Sequence, residues 1–115
     1  MNIQKPTENS FLMPVKIVKL DILKEGDKLI IKTEKHRYII TAKTQPYAIL
    51  SSDNINVPSG DVIIVGGVNN LDQICSEYLT IGQQFIYAAT AQPSCGIKTS
   101  PVVEILVSKK PKITI

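Results

Sequence analysis

The 115-residue sequence has no tryptophan, one histidine and only two cysteines, Cys75 and Cys95. Two cysteines are too few for a disulfide framework. They could pair if the fold brought them together, but in a reducing compartment we expect free thiols. We expect Cys75 to be buried and Cys95, in a Pro-Ser-Cys-Gly run, to lie in an exposed loop.

Long apolar runs are also missing. No stretch approaches the roughly 18 apolar residues that a transmembrane helix needs. Residues 1–10 contain no apolar core of the kind found in signal peptides. We therefore expect a protein of the cytoplasm that does not engage a membrane.

Residue combinations that carry catalysis are scarce. The lone histidine, His36, has no second histidine or cysteine at metal-ligand spacing. A nucleophilic Cys95 would need a base, and nothing in the sequence brings His36 close to it. The Gly66-Gly67 pair is not followed by either glycine-rich nucleotide-binding pattern. We therefore expect a protein that is not an enzyme and that uses no metal or cofactor.

Basic residues are absent from the middle of the chain. All 13 Lys and Arg residues lie within residues 5–43 or 98–112. The formal charge is +4 for residues 1–43 (nine basic, five acidic), −4 for residues 44–97 (four acidic) and +3 for residues 98–115 (four basic, one acidic). If the two basic ends lie side by side, the protein has one basic and one acidic face, which bears on its partners rather than on its fold.

What the sequence does contain is a series of short apolar stretches separated by Gly and Pro. This pattern predicts an all-β fold of about six to eight strands. The expected architecture is a small partly open barrel of the SH3-like or OB-like kind, or a compact sandwich, with at most one short helix. We expect residues 13–115 to form a single β domain after a flexible arm at residues 1–12.

The clearest local prediction is a hairpin of residues 27–33 and 37–43. Pairing Lys32 with Arg37 places Ile31 opposite Tyr38 and sets the register of the ladder. One face is then apolar, formed by Leu29, Ile31, Tyr38 and Ile40. The other face carries the cations Lys28, Lys32, Arg37 and Lys43. A slip of one residue would bury these cations, so the pattern itself specifies the register.

Other segments follow from the same patterns. We predict a first strand at residues 13–22, a short strand at 47–51, a buried strand at 62–65 that ends at Gly66-Gly67, and later strands at 84–89, 97–99 and 102–107. Residues 70–78 have the apolar spacing of two helical turns, which leaves a helix and an irregular loop as equal alternatives. Pro101 should bend the chain where it passes from one sheet to another.

Residues 23–30 and 79–86 share the pattern Leu-x-x-Gly-x-x-apolar-Ile. One interpretation is that the glycines, Gly26 and Gly82, provide the turn or bulge that often precedes a strand in small barrels. A duplicated hairpin with pseudo-twofold symmetry is the alternative. We favour the turn because the matched positions are typical of any strand start.

The Gly26-Asp27 pair, the run at residues 81–85 and the Thr99-Ser100-Pro101-Val102 motif together resemble a pattern in small uncharacterised bacterial proteins. In those proteins a Gly-Asp pair begins a strand and a Thr-Ser-Pro-Val motif closes a compact β domain. The resemblance covers about residues 23–107 and departs from the pattern in the polar segment after Gly66-Gly67. It implies a small bacterial β protein and transfers no catalytic residue.

Two functions remain. The favoured one is a non-enzymatic binding or assembly module that contacts a protein partner or a second copy of itself, with strand edges at residues 102–107 and 113–115 open to β-addition. The alternative is nucleic-acid or polyanion binding through a basic face. That face would contain Lys28, Lys32, Arg37, Lys43 and Lys98. It ranks second because the net charge is low and few aromatic residues accompany the cations.

Overall fold

The computed structural model describes residues 12–57 and 59–109, and within them ten β-strands. These are β1 (Leu12–Val15), β2 (Ile17–Lys19), β3 (Lys28–Thr33), β4 (Arg37–Ala42), β5 (Tyr47–Ser52), β6 (Gly60–Val68), β7 (Ile74–Cys75), β8 (Tyr78–Thr80), β9 (Gln84–Ala89) and β10 (Ile97–Ser108). The predicted all-β class is confirmed. The predicted edge strand at 113–115, and all but one residue of the predicted arm, lie outside the described residues.

Six strands close into an antiparallel barrel. Their order is β10-β3-β4-β5-β6-β9, and β9 pairs with β10 to complete the ring. Outside the ring, β1 pairs with β10, β7 pairs with β6, and β2 forms a separate two-stranded sheet with β8. The predicted small barrel is therefore present and is fully closed, so none of its six strands is left with a bare edge.

The barrel interior is filled by the residues that the hairpin pattern placed on its apolar face. Leu29, Ile31 and Ile40 are fully buried, and Tyr38 is 5% exposed. The register of β3 and β4 is the predicted one, from Lys32 opposite Arg37 to Lys28 opposite Thr41. Each apolar side chain removed from water in this way contributes roughly 1.5–3 kcal/mol, which is why the pattern specifies the pairing.

Three aromatic rings pack in a row inside the barrel. The Tyr87 ring lies 5.7 Å from Phe85 in a stacked arrangement and 6.4 Å from Tyr38 in a tilted one. Burial raises the pKa of the Tyr38 phenol, and the negative charge of Asp53 adds to this effect. Burial also raises the pKa of Tyr87, with a smaller contribution from Tyr38. Both phenols therefore stay protonated at pH values where an ordinary tyrosine ionises.

The barrel is closed by β10, which changes partner along its length. Residues 97–101 pair with β9 and residues 102–108 pair with β3, with register shifts on either side of the change. The predicted passage from one sheet to another at Pro101 is wrong: residues 97–108 form one strand of a single sheet, which changes its partner next to Pro101. Thr99 stabilises the pairing at this change of partner, because its buried hydroxyl accepts the Phe85 backbone N–H at 3.1 Å and donates to the Ser100 carbonyl at 2.7 Å.

Two predicted strand limits are wrong. Residues 13–22 do not form one strand, because the chain bends at Lys16 between β1 and β2 and then makes a 3-10 turn at Leu20–Ile22. Gly66-Gly67 does not end the central strand either. β6 runs through both glycines to Val68, since Gly66 and Gly67 pair with β9 and Gly67 also pairs with β7.

Residues 70–78 do not form a helix. The Asn69 side-chain oxygen accepts the backbone N–H groups of Leu71 and Gln73 at 2.9 and 3.0 Å, and Asp72 adopts a positive φ of 65°. Side chains that bond to the following backbone in this way offer the chain an alternative to a helix. The segment therefore turns and enters β7. In residues 12–57 and 59–109 there is no helix with the length and apolar character needed to cross a bilayer.

Gly26 and Gly82 have nearly equal backbone conformations, with φ of 93° and 98°. Each lies two residues before a strand, β3 or β9. Only glycine adopts such a φ without strain. These values support the turn interpretation of the repeated Leu-x-x-Gly pattern.

Replacing Gly66 should test how closely β6 and β7 approach each other. Gly66 has a φ of 146°, and a Cβ atom there would overlap the backbone carbonyl of Cys75. We expect Gly66→Ala to lower the free energy of unfolding by roughly 2–5 kcal/mol, from backbone strain and overlap together. Gly82→Ala is the matched control, since Gly82 also has a positive φ but open space around it. Equal losses in urea unfolding would contradict the close approach.

The buried phenols predict a fall in stability at alkaline pH. Their pKa values are raised in the folded state, so above about pH 10 the folded chain holds more protons than the unfolded chain and stability decreases as pH rises. Tyr87→Phe should make this decrease shallower in urea unfolding measured between about pH 9 and pH 11, with Tyr47→Phe at an exposed position as the control. A slope unchanged by Tyr87→Phe would be the contrary result.

Candidate functional site

The outer face of the β3–β4 hairpin carries Lys32 and Arg37 directly opposite each other, as predicted. Carboxylates border this pair on both sides. Glu104 on β10 lies directly opposite Lys32. On the other side, Asp53 accepts the backbone N–H of Arg37 at 3.0 Å and lies 3.4 Å from His36 Nδ1. The two cations therefore do not form part of a surface of one sign.

Two of the other predicted cations, Lys43 and Lys98, have ionic partners of their own. Lys43 Nζ lies 3.4 Å from Asp61, and Lys98 Nζ lies 3.3 Å from Asp72. Lys28 is exposed on the same face of β3 as Lys32 and makes no ion pair among the described residues, whereas Lys98 lies on the part of β10 that pairs with β9. The acids come from the segment that lacks basic residues, so folding interleaves the charges that the sequence separates. Exposed pairs of this kind contribute only roughly 0–1 kcal/mol to stability, but they divide the predicted basic face.

The candidate catalytic residues have ordinary structural surroundings. His36 lies in the β3–β4 turn, where its backbone N–H donates to the Thr33 hydroxyl at 3.1 Å. Both cysteines are free: Cys95 is exposed as predicted, and Cys75 is half-buried rather than buried. Across residues 12–57 and 59–109, no cluster of three His, Cys, Asp or Glu side chains has the geometry to hold a metal ion.

The most distinctive surface feature is apolar and lies at residues 12–23. Leu12, Met13, Ile17 and Ile22 are each between 46% and 60% exposed. The last three line a groove of about 220 Å³ together with Val15 and Val107. We call this surface the elbow groove, because it lies where the chain bends between β1 and β2. The sequence pattern did not predict it, since a straight strand at 13–22 would have turned Ile22 towards the core.

Hydrogen bonds to the neighbouring segments hold the bend in place. The Lys16 carbonyl accepts the Ile81 backbone N–H at 3.0 Å, and the Leu20 backbone N–H donates to the Glu77 carbonyl at 2.8 Å. In the described part of the chain, β1 pairs only with β10 and β2 pairs only with β8. Two strands with a free edge therefore flank the elbow groove, although Pro14 in β1 has no N–H to offer a partner.

The charged side chains that line the elbow groove are both lysines, Lys19 and Lys109. Lys19 Nζ lies 3.6 Å from the exposed Asp21 carboxylate. Lys109 Nζ lies 3.2 Å from Asp27, a carboxylate that is buried and that also accepts the Lys24 backbone N–H at 2.9 Å. The Asp27–Lys109 pair thus joins the start of β3 to the end of β10 at one side of the groove.

The strand edge predicted at residues 102–107 is not free. β10 pairs with β3 from Val102 to Ser108, and its residues 105–108 pair with β1 on the other side. The β-addition edge predicted there is therefore wrong, because β1 already occupies it. Among the described residues, the outermost strand on this side is β1, which pairs only with β10.

Comparisons with protein-family models, curated proteins and solved structures found no match to this chain. The resemblance drawn from Gly26-Asp27 and the Thr99-Ser100-Pro101-Val102 motif stays a prediction. A fold alone does not imply a function, so the chemistry of the surface carries the functional inference.

The interleaved charges predict weak affinity for polyanions. We expect the protein to elute from heparin at or below about 0.15 M NaCl. Neutralising the bordering acids with Asp53→Asn and Glu104→Gln should increase retention, because it uncovers Lys32 and Arg37. Asn at position 53 keeps an oxygen that can accept the Arg37 N–H.

The reverse exchange, Lys32→Glu with Arg37→Glu, should change retention of the otherwise unaltered protein only slightly. Retention to high salt that this double substitution abolishes would instead support polyanion binding through the hairpin.

Proposed function

We propose that this protein is a non-enzymatic binding module that holds an extended segment of a partner protein in the elbow groove. The observation that carries this proposal is the group of large apolar side chains exposed there between two strands, each paired on one side. Isolated exposed apolar residues are normal on protein surfaces, but a contiguous group around a groove is typical of a contact site. β1 and β2 provide the strand edges that β-addition uses.

The energetics suit a modest, reversible contact. Met13, Ile17 and Ile22 are already about half-buried, so covering the remainder of each contributes roughly 1 kcal/mol. β1 has only four residues and Pro14 provides no donor, so few main-chain hydrogen bonds add to this. Side-chain packing in the groove therefore contributes most of the affinity, and we expect a transient interface rather than a permanent one.

The polyanion alternative has less support. Lys43 and Lys98 each have a carboxylate partner, and Glu104 and Asp53 border the Lys32–Arg37 pair. These acids make the charge around the cations mixed in sign, so a polyanion meets both attraction and repulsion there. An apolar segment in the elbow groove displaces only water.

Selection of peptides from a random display library on the immobilised protein tests the proposal. Selected peptides should have apolar residues at alternate positions and should lose about five-fold in affinity with Ile17→Gln, the effect expected from about 1 kcal/mol. Ile17 is half-exposed, so the substitution should leave the unfolding transition nearly unchanged. Ile55→Gln is the matched control, because Ile55 is 96% exposed in the β5–β6 loop. Selected peptides that bind the Ile17→Gln protein equally well would overturn the proposal.

A further inference from the structure

We propose that the segment bound in the elbow groove is acidic as well as apolar, with Asp or Glu at the positions between its apolar residues. This inference rests on the proposed function and specifies its partner. It is carried by the charges around the groove: the charged side chains in its lining are lysines, and Lys16 is exposed at the bend that forms it.

These lysines retain the capacity to bind further carboxylates. Among the described residues Lys16 makes no ion pair. The Lys19–Asp21 pair is exposed and 3.6 Å long, and such pairs rearrange at little cost. Lys109 directs one bond to Asp27 while its side chain stays 51% exposed. An ammonium group has three donors, so Lys109 can hold a second carboxylate without releasing Asp27.

The alternation of a strand matches this arrangement. In an extended segment successive side chains point to opposite sides. If one set enters the apolar groove, the other set stays at its open side. The long, flexible side chains of Lys19 and Lys109 line the groove and can reach carboxylates there, and the exposed Lys16 lies at the adjoining bend. Neutral residues at those positions would gain nothing from the lysines, and basic residues would be repelled.

The chain's own residues 110–115 fit the groove less well. Their sequence, Lys-Pro-Lys-Ile-Thr-Ile, has two apolar residues at alternate positions but carries Lys110 and Lys112, which would face lysines of the same sign.

A second copy of the chain is disfavoured for a related reason. A twofold interface uses the same patch on both subunits. Two elbow grooves placed together would therefore bring the lysines of one copy close to the lysines of the other. Like charges brought together in this way oppose association, whereas an acidic segment removes the conflict.

Three synthetic peptides that differ only between the apolar positions test the inference. The first is Asp-Ile-Asp-Val-Asp-Ile-Asp, and the other two have Ser or Lys in place of every Asp. A fourth peptide copies residues 109–115. Binding to the full chain is measured by fluorescence anisotropy at low and high salt. We expect the acidic peptide to bind about ten-fold more tightly than the Ser peptide at low salt, with the difference shrinking as salt screens the charges.

Charge-reversal variants locate the effect. Lys16→Glu with Lys19→Glu should remove the preference for the acidic peptide. The matched control, Lys32→Glu with Lys35→Glu, makes the same change in net charge at the β3–β4 turn and should keep the preference. Loss of the preference in both variants would show an effect of net charge alone and would overturn the inference.

The remaining outcomes separate this inference from the proposed function. Equal binding of the acidic and Ser peptides, with both weakened by Ile17→Gln, overturns the acidic partner and leaves the binding module standing. Binding that Ile17→Gln does not weaken overturns both. Tighter binding of the 109–115 peptide than of the acidic peptide overturns the inference in favour of the chain's own segment. Self-association in sedimentation that Ile17→Gln abolishes overturns it in favour of a second copy.

Discussion

Closure of the barrel depends on β10 reaching both β9 and β3, and the rest of the structure depends on that closure. Without it, the sheet would have two open edges and the interior side chains Phe85, Ile31 and Ile105 would face solvent at the gap. The pairing register of β10 shifts on either side of the point where it changes partner, next to Pro101. Thr99 stabilises the pairing there through the Phe85 backbone. β10 also pairs with β1, and both strands line the elbow groove. The groove therefore depends on the position that β10 takes in the closed barrel.

The distribution of charge over the folded surface depends on which strands lie next to each other, not on where the charged residues lie in the sequence. The sequence separates basic ends from an acidic middle, and the fold brings them back together in the Lys43–Asp61 and Lys98–Asp72 pairs. The strand order predicts this mixing: β10 and β3, from the basic ends, lie in one ring with β5, β6 and β9 from the acidic middle. Lysines also lie next to an apolar surface at the elbow groove, where Lys19 and Lys109 are part of the lining.

The parts of the fold that could be predicted are those in which one local pattern specifies one face. The β3–β4 register followed from burial of Leu29, Ile31 and Ile40, whereas Pro101 indicated only the place where β10 changes partner. The elbow groove could not be predicted, because the bend at Lys16 is held by the distant Ile81. The turn at residues 69–73 had a local cause in Asn69, but the apolar spacing of the same segment favoured a helix equally.

The late position of the closing strand β10 in the sequence affects how the barrel forms during synthesis. β10 is the last of the ten described strands to leave the ribosome. Until it does, the other five strands of the ring are present, but the outer edges of β3 and β9 have no partner. Pairings between residues so far apart in sequence form slowly, and unpaired edges on a nascent chain invite aggregation. The sheet that is best protected once complete is thus most vulnerable just before residues 97–108 emerge, and a ribosome that stalls there would present an open sheet to the cell.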